Sequence, residues 1–570
     1  MAPGATPDAT TQNRPSRDDF GPRLIGPLFA ALIVLISALP GLVRMPTLDR
    51  DEARFAQSSA QMLESGDFVD PRFQDDPRDK KPVGINWLQV AAVKLVSNEE
   101  ARGIWAYRLP SLLSGMAAAA VCAWGAQAFF RPWRAASAGV VLGCGFLLSS
   151  EAFIAKTDAA LCAAVTLAMA GFAHIYAASR RGEGAGFWPR AALWSGLALG
   201  LLVKGPVAPL VVGSAGLVLW GADRRAPWAR HMSWRWGLLF VLAVVGPWAT
   251  AITVSSDGTF WTQSLGGDVV RKLTGARESH RGWPGYYLLL APVLTFPAAM
   301  LLPAALVYGW SWRQAPAARF ALAWLIPVWL LFEFAPTKLA HYTLPLYGAL
   351  ALLAAGALGH PFGRLARWGG AAVSLLAGAA IALAAMALAA RFGGPGAVSL
   401  AVVGAGLAAA AAAAGALASG PDGDMGRRLS FFCVAVLLGV MAHVVLAAGL
   451  LPALSSLWTS KAAAELVERN GLDPRNGVTP GPVAVAGYAE PSLVFALGTD
   501  TDLGDGAEAA VAVEGGQPAL VEGRELPRFI ARLRQDKVTA DRLGEVRGLD
   551  YSTGRPVTLS LWKRRTPLGT

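Results

Sequence analysis

Leu24–Val43 reads LIGPLFAALIVLISALPGLV, and a few residues later Leu48–Phe55 reads LDRDEARF. The first stretch carries no charge over about twenty residues, enough helix to cross a hydrocarbon core of ~30 Å. Its length, and the lack of a small-x-small cleavage site, favour a retained anchor over a cleaved leader. The second stretch places the acids Asp51 and Glu52 where a membrane span would meet water. Such acids are costly there unless paired or used.

The rest of the chain follows the first stretch. Of 570 residues, 54% are apolar and only 16% charged, which excludes an ordinary soluble protein. Apolar segments recur to Leu450. We read thirteen spans, at 24–43, 108–130, 135–150, 158–178, 191–203, 206–221, 235–254, 285–311, 319–335, 338–358, 368–390, 396–418 and 429–450. The fold class expected is an all-α polytopic membrane protein with a small extracytoplasmic C-terminal α/β domain. Its parts are a disordered cytoplasmic N-terminus (1–23), a transmembrane domain (24–450, with a first outer loop at 44–107) and a soluble domain (451–570). In that last part, Pro482–Ala486 and Leu493–Leu497 read as strands and Leu526–Gln535 as a helix.

The net charge of +11 would suit nucleic acid, but its distribution does not. Arginines gather in alternate short loops: Arg131/Arg134, Arg180/Arg181/Arg190, Arg224/Arg225/Arg230/Arg235, Arg313/Arg319, Arg364/Arg367 and Arg427/Arg428. With Arg14, Arg17 and Arg23 they mark one side, the cytoplasm by the positive-inside rule. The C-terminus then lies outside. Cys122, Cys144, Cys162 and Cys433 have no metal or redox spacing and read as small core residues.

The opposite side collects a different chemistry. Five outer segments bring Asp51/Glu52 with Lys80/Lys81, Lys156/Asp158, Lys204, a loop containing His280, and Lys338/His341/Tyr342. A transporter would more often hold such groups mid-membrane in broken helices. Within the first loop, Asp51–Gly66 has a helical pattern with Gly66 as its C-cap, and Val83–Val96 has an apolar stripe. Both read as helices lying on the membrane surface.

Each group has a plain reading beside a functional one. Asp51 and Glu52 suit helix capping and pairing with Arg54, or proton transfer and orientation of a hydroxyl. Asp158 suits a helix N-terminus, or charge near a developing oxocarbenium ion. Lys80, Lys81 and Lys204 suit headgroup contact, or a grip on a lipid phosphate. Lys338 and Tyr342, four apart, would share a helical face as a phosphate clamp. Neither a Walker motif nor a dinucleotide fingerprint occurs, so no nucleotide donor is implied.

Several of these segments resemble the lipid A aminoarabinose transferase family and the wider group that includes protein O-mannosyltransferases. They are Asp51–Phe55, Met62–Phe68, Lys81-Pro82, Thr157-Asp158, Lys204-Gly205-Pro206, Thr337–Pro345, Gly487-Tyr488 and Glu490–Leu493. The resemblance implies a C-type glycosyltransferase fold with 13 membrane helices. It implies sugar transfer from a polyprenyl phosphate to a lipid, glycan or protein acceptor outside the bacterial inner membrane, with inversion at the anomeric carbon. By motif match, Asp51 and Asp158 would be the central acids, with Glu52 beside them. Lys81, Lys204, Lys338 and Tyr342 would handle the donor phosphate, and Lys80, His280, His341 and Arg54 would be further substrate contacts. The family often has Glu before Lys-Pro, in a metal site with a loop histidine. Here Lys80 stands instead, and a charged ammonium is no ligand. A divalent cation is thus the only cofactor raised, and Lys80 argues against it. A monomer is expected, with a lipid-linked sugar, an acceptor and the membrane as partners, and no nucleic acid. The rival class is a transporter or flippase of lipid-linked sugars.

Overall fold

A computed structural model describes residues 20–78, 81–98, 102–264, 282–420, 424–476 and 481–565. Helix α1 (Phe20–Arg44) leads to α2 (Asp51–Ser65), a small hairpin β1–β2 (Arg72–Phe73, Asp76–Pro77) and α3 (Gly84–Val96). A bundle follows: α4 (Ile104–Ala126), α5 (Pro132–Gly143), α6 (Phe146–Glu151), α7 (Thr157–Arg180), α8 (Phe187–Lys204), α9 (Val207–Asp223) and α10 (Trp234–Ser255). Among the described residues, eight helices are long and apolar enough to cross a membrane by length and composition. The expected count was thirteen.

The difference lies in five segments that are short, interrupted or more polar. Residues 135–150 divide into α5 and α6 at Gly145. Segment 285–311 divides into α11 (Tyr286–Leu294), a 3-10 turn (Ala298–Leu301) and α12 (Leu302–Ser311). Segment 338–358 begins as a 3-10 turn, Ala340–Leu346, before α14 (Tyr347–Ala357), which follows α13 (Pro316–Phe334). Pro292 and Pro345 lie in these stretches, and each removes a backbone donor. Segments 191–203 and 206–221 form α8 and α9, of 18 and 17 residues.

Helix α7 is the most enclosed of these eight helices. Small residues let its neighbours close on it. Gly125 of α4 meets Ala170, and Gly196 of α8 meets the backbone at Ala164 and Ala168. The first turn of α7 is enclosed as well, with Thr157 and Asp158 both buried.

Helix α2 forms as its sequence suggests. Phe55, Ser59 and Met62 are buried, and Gly66 ends the helix in the left-handed region at φ 74°, its N–H bonded to the Met62 carbonyl. The adjacent Arg50 also has positive φ, 65°, a conformation uncommon for a residue with a side chain.

Beyond Ala453 the chain makes a five-stranded sheet in the order β4-β3-β5-β7-β6. Its strands are β3 (Ala484–Ala486), β4 (Asp502–Gly504), β5 (Ala519–Glu522), β6 (Ala540–Asp550) and β7 (Arg555–Arg564). Strands β3, β4 and β5 are parallel, while β7 is antiparallel to β5 and β6. Ala463 and Val467 of the helix Thr459–Arg469 pack in one apolar cluster, and Phe529 and Leu533 of Leu526–Gln535 in another. The segment 493–497, expected as a strand, is helical from Pro491 to Leu497. A short apolar run does not distinguish the two by periodicity, and Pro491 sits at the first helical position, where its missing N–H costs nothing. The four cysteines are free; Cys122, Cys144 and Cys162 are buried, and Cys433 is exposed.

Candidate active site

Two adjacent acids at the start of α2 have opposite surroundings. Glu52 is sealed against Arg108 of α4, with both side chains 0% exposed. Its Oε1 accepts from Arg108 Nε at 2.8 Å and Ala155 N at 2.8 Å, and its Oε2 from Arg108 Nη2 and Leu48 N, also at 2.8 Å. Arg108 also donates to the carbonyls of Leu42, Met45 and Pro46. Expected as a second site acid, Glu52 instead joins α1, α2, α4 and the turn before α7, and both its oxygens are occupied. Asp51, one residue earlier, is exposed and makes no side-chain hydrogen bond or ion pair among the described residues.

Asp158 lies in a nest of charges. Its Oδ1 accepts from Lys204 Nζ at 2.5 Å, and its Oδ2 is 3.6 Å from Lys156 Nζ and 3.8 Å from His341 Nε2. Lys156 also pairs with Glu151 at 3.0 Å and meets His341 Nδ1 at 3.4 Å. Burial works against the Lys156 ammonium, yet Glu151 and Asp158 raise its pKa above the ordinary value, with a further push from the charge of Asp51. Asp51 is thus linked to the same nest through its charge. Lys204 stands 5.7 Å over the ring of Tyr342, which lies edge-on to His341.

Lys338 does not share a face with Tyr342. Leu339 is extended and the helical turn starts only at Ala340, so the four-residue spacing carries no α-helical meaning here. Its Nζ donates instead to the carbonyls of Glu333 at 2.6 Å and Ala335 at 2.5 Å, with Phe332 at 3.4 Å, capping the end of α13. Lys81 precedes α3, half-buried, and Arg54 lies on α2 three residues from Asp51. Lys80 and His280 fall outside the described residues. Among the described residues no group of three His, Cys, Asp or Glu side chains could hold a metal ion.

The C-terminal unit reaches the site. Tyr551 Oη, in the turn of the β6–β7 hairpin, accepts from Asp49 N at 2.5 Å. Ser492 N donates to Asp49 Oδ1 at 3.1 Å, and Arg50 Nη2 donates to the Ser552 carbonyl at 3.0 Å. Asp51 is therefore flanked on one side by the Glu52–Arg108 anchor and on the other by a turn held from the sheet domain. Burial pushes Asp49 up to about 6 and Glu490 up to about 7, Asp49 and Asp550 adding to the shift of Glu490. A second seam lies further along α2, where Arg102 bonds Gln57 Oε1 at 2.7 Å and Thr499 Oγ1 at 2.7 Å and pairs with Glu64.

Sequence reasoning left Arg108, Arg102, Glu151 and Arg78 without a role. Arg108 carries a usable signal, a cation at the mouth of an apolar segment with an acid upstream. The others announce themselves only through long-range contacts.

A bundle with a charged nest at one end and an appended sheet domain defines the class: a polytopic membrane protein of the C-type glycosyltransferase fold. The solved structure of ArnT from Cupriavidus metallidurans bound to undecaprenyl phosphate aligns over 94% of this chain and 97% of its own, with a TM-score of 0.71 at 21% identity. A family model for dolichyl-phosphate-mannose-protein mannosyltransferase matches residues 80–250. Two undecaprenyl phosphate-alpha-4-amino-4-deoxy-L-arabinose arabinosyl transferases are similar. That of Enterobacter sp. (strain 638) is 28% identical over 54% of this chain and 54% of its own. That of Edwardsiella ictaluri is 30% identical over 57% and 58%. The matched part thus spans little more than half the length of these curated relatives. The chain is thus similar to aminoarabinose transferases over little more than half its length, and it shares the fold of the solved ArnT structure.

Proposed function

We propose that this protein moves a sugar from a polyprenyl-phosphate donor to an acceptor at the outer face of the bacterial cytoplasmic membrane, with inversion at the anomeric carbon. The observation that carries the reading is Asp51: an exposed carboxylate, unpaired among the described residues, whose charge acts on the neighbouring nest of lysines and acids. The acceptor oxygen bonds to the anomeric carbon as the bond from that carbon to the phosphate oxygen breaks. The electron pair leaves with the phosphate, which gains one negative charge. Asp51 takes the proton of a hydroxyl acceptor, or orients an acceptor that is already an anion. Lys81 and Lys204, with Tyr342, stabilise the leaving phosphate, charge fixed in place before the reaction being more effective than water that must reorganise. Asp158 and Glu151 hold Lys204 and Lys156 at the mouth, and Lys338 acts from behind as a helix cap.

The same reading assigns the finer topology. The five shorter segments complete thirteen crossings, with the N-terminus cytoplasmic and residues 451–570 outside as a separate domain. Helices α2 and α3 lie along the membrane surface beside the lipid substrate, and the protein acts as a monomer. The relatives' printed names point to undecaprenyl phosphate-linked aminoarabinose as one donor to test.

Purified protein in lipid, given labelled polyprenyl-phosphate sugars and a panel of glycolipid, glycan and protein acceptors, should form an inverted product with one pair. Movement of the intact lipid-linked sugar across the bilayer, without bond cleavage, would instead identify a flippase.

A further inference from the structure

Charge is distributed unevenly over this site. Around Asp158 two lysines face two acids. Around Asp51 the cations outnumber the acid. Asp51, Arg54 and Phe55, three and four residues apart, share one face of α2. Arg78 lies on that face, its Cζ 4.9 Å from the Phe55 ring centroid. The β1–β2 hairpin carries it there, and Arg78 N is tied to the Pro71 carbonyl at 2.7 Å. The guanidinium Nη1 is enclosed and meets no hydrogen-bond partner. Like Asp51, Arg54 makes no side-chain hydrogen bond or ion pair among the described residues. Burial lowers the pKa of Arg78 to about 10, Asp51 opposing and Arg54 adding to the fall.

Two guanidinium groups thus stand beside one exposed carboxylate, with one enclosed donor of the Arg78 fork unpartnered. An enclosed donor without a partner is unfavourable unless a ligand completes it. The planar fork of arginine matches two oxygens of a tetrahedral anion, which a lysine does not. We propose that Arg78, together with Arg54, forms a phosphate-oxyanion subsite next to Asp51, separate from the Lys204 nest. This rests on the transfer reading for its place in the reaction. There Arg78 decides which phosphate-bearing substrate is accepted, by fixing one substrate's phosphate while Asp51 addresses the reacting oxygen. A neutral substrate can accept a hydrogen bond from such a fork but cannot offset the charge of two guanidinium groups.

The test uses the full-length protein in detergent, with inorganic phosphate as the probe. Titration of wild type, Arg78→Gln and Arg78→Lys should show phosphate affinity falling about tenfold or more in Arg78→Gln. Arg78→Lys, which keeps the charge and loses the fork, should lie between. Matching thermal unfolding of the three shows that folding is not the cause. In transfer assays, a raised KM for the lipid-phosphate donor alone assigns the subsite to the donor. A raised KM for a phosphorylated glycolipid acceptor alone assigns it to the acceptor. Equal phosphate affinity in wild type and Arg78→Gln, absence of phosphate binding in wild type, or an unchanged KM for both substrates would overturn the proposal. If phosphate binding depends on Arg78 but no sugar moves, the subsite stands and the transfer reading falls.

Discussion

The acids at this end of the molecule fall into two surroundings. Glu52 and Asp158 are buried and bound on both oxygens, the first by Arg108 and backbone amides, the second by Lys204, Lys156 and His341. Asp51 is exposed and, among the described residues, unpaired, although it adjoins Glu52 in sequence and its charge acts on Lys156 beside Asp158. An acid whose oxygens are all engaged can hold neighbours in place, but it cannot take a proton or turn toward a substrate without first breaking those bonds. On the proposed function, the difference separates framework from chemistry among residues of one type.

The strongest way to break this comparison is at the sealed acids. Glu52→Ala leaves Arg108 charged and buried without its carboxylate, so stability should fall by about 3–5 kcal/mol. Folded yield and thermal unfolding in detergent measure it; a wild-type melting curve would remove Glu52 from the framework. Asp158→Asn keeps the shape but leaves Lys204 and Lys156 with less negative charge. We expect a loss of about 2–3 kcal/mol in stability, together with a fall in transfer. Loss of transfer at full stability would instead move Asp158 to the chemical side of the comparison.

Lys338 sharpens the same contrast among the cations. Lys338→Met removes the cap on α13 and should cost about 1–2 kcal/mol in stability, with the donor KM unchanged. A tenfold rise in donor KM without destabilisation would restore it to the phosphate site.

The smallest expected effects lie at the seam between Asp49 and the sheet domain. Tyr551→Phe should cost about 1 kcal/mol and slow transfer modestly, since Arg50, just before Asp51, is held at positive φ by this turn. The seam should also respond to pH. Asp49 and Glu490 have folded pKa values of about 6 and about 7, above their ordinary 3.8 and 4.5. The native state therefore retains protons that the unfolded state has lost, and stability from these groups falls as pH rises from about 4 to about 7. Hydrogen exchange at the seam, followed across that range, should show easier opening at the upper end. Asp49→Asn should flatten the response, and an unchanged slope in that variant would contradict the assignment.

Much of the fold was legible in the sequence because apolar length and arginine placement act locally. The long spans, the α2 helix ending at Gly66 and the helix Leu526–Gln535 depend on such signals. The interrupted segments were read too simply, because Pro345 and the extended Leu339 change the backbone without changing hydropathy. At the site, sequence named Asp51, Asp158, Lys204, His341 and Tyr342; among the described residues Asp158 meets Lys204 and His341, and Lys204 lies over Tyr342. It could not separate Glu52 from Asp51, since the difference rests on Arg108, 56 residues away. Nor could it foresee Lys338 turning back to cap α13, or Arg78 lying on Phe55.

The central claim is that Asp51 performs chemistry while its buried neighbours hold the frame. The direct measurement is the transfer rate of purified Asp51→Asn in lipid, beside its thermal unfolding. The account predicts a loss of about 10²–10⁴-fold in rate with the unfolding curve of the wild type. Wild-type transfer by that variant would contradict it.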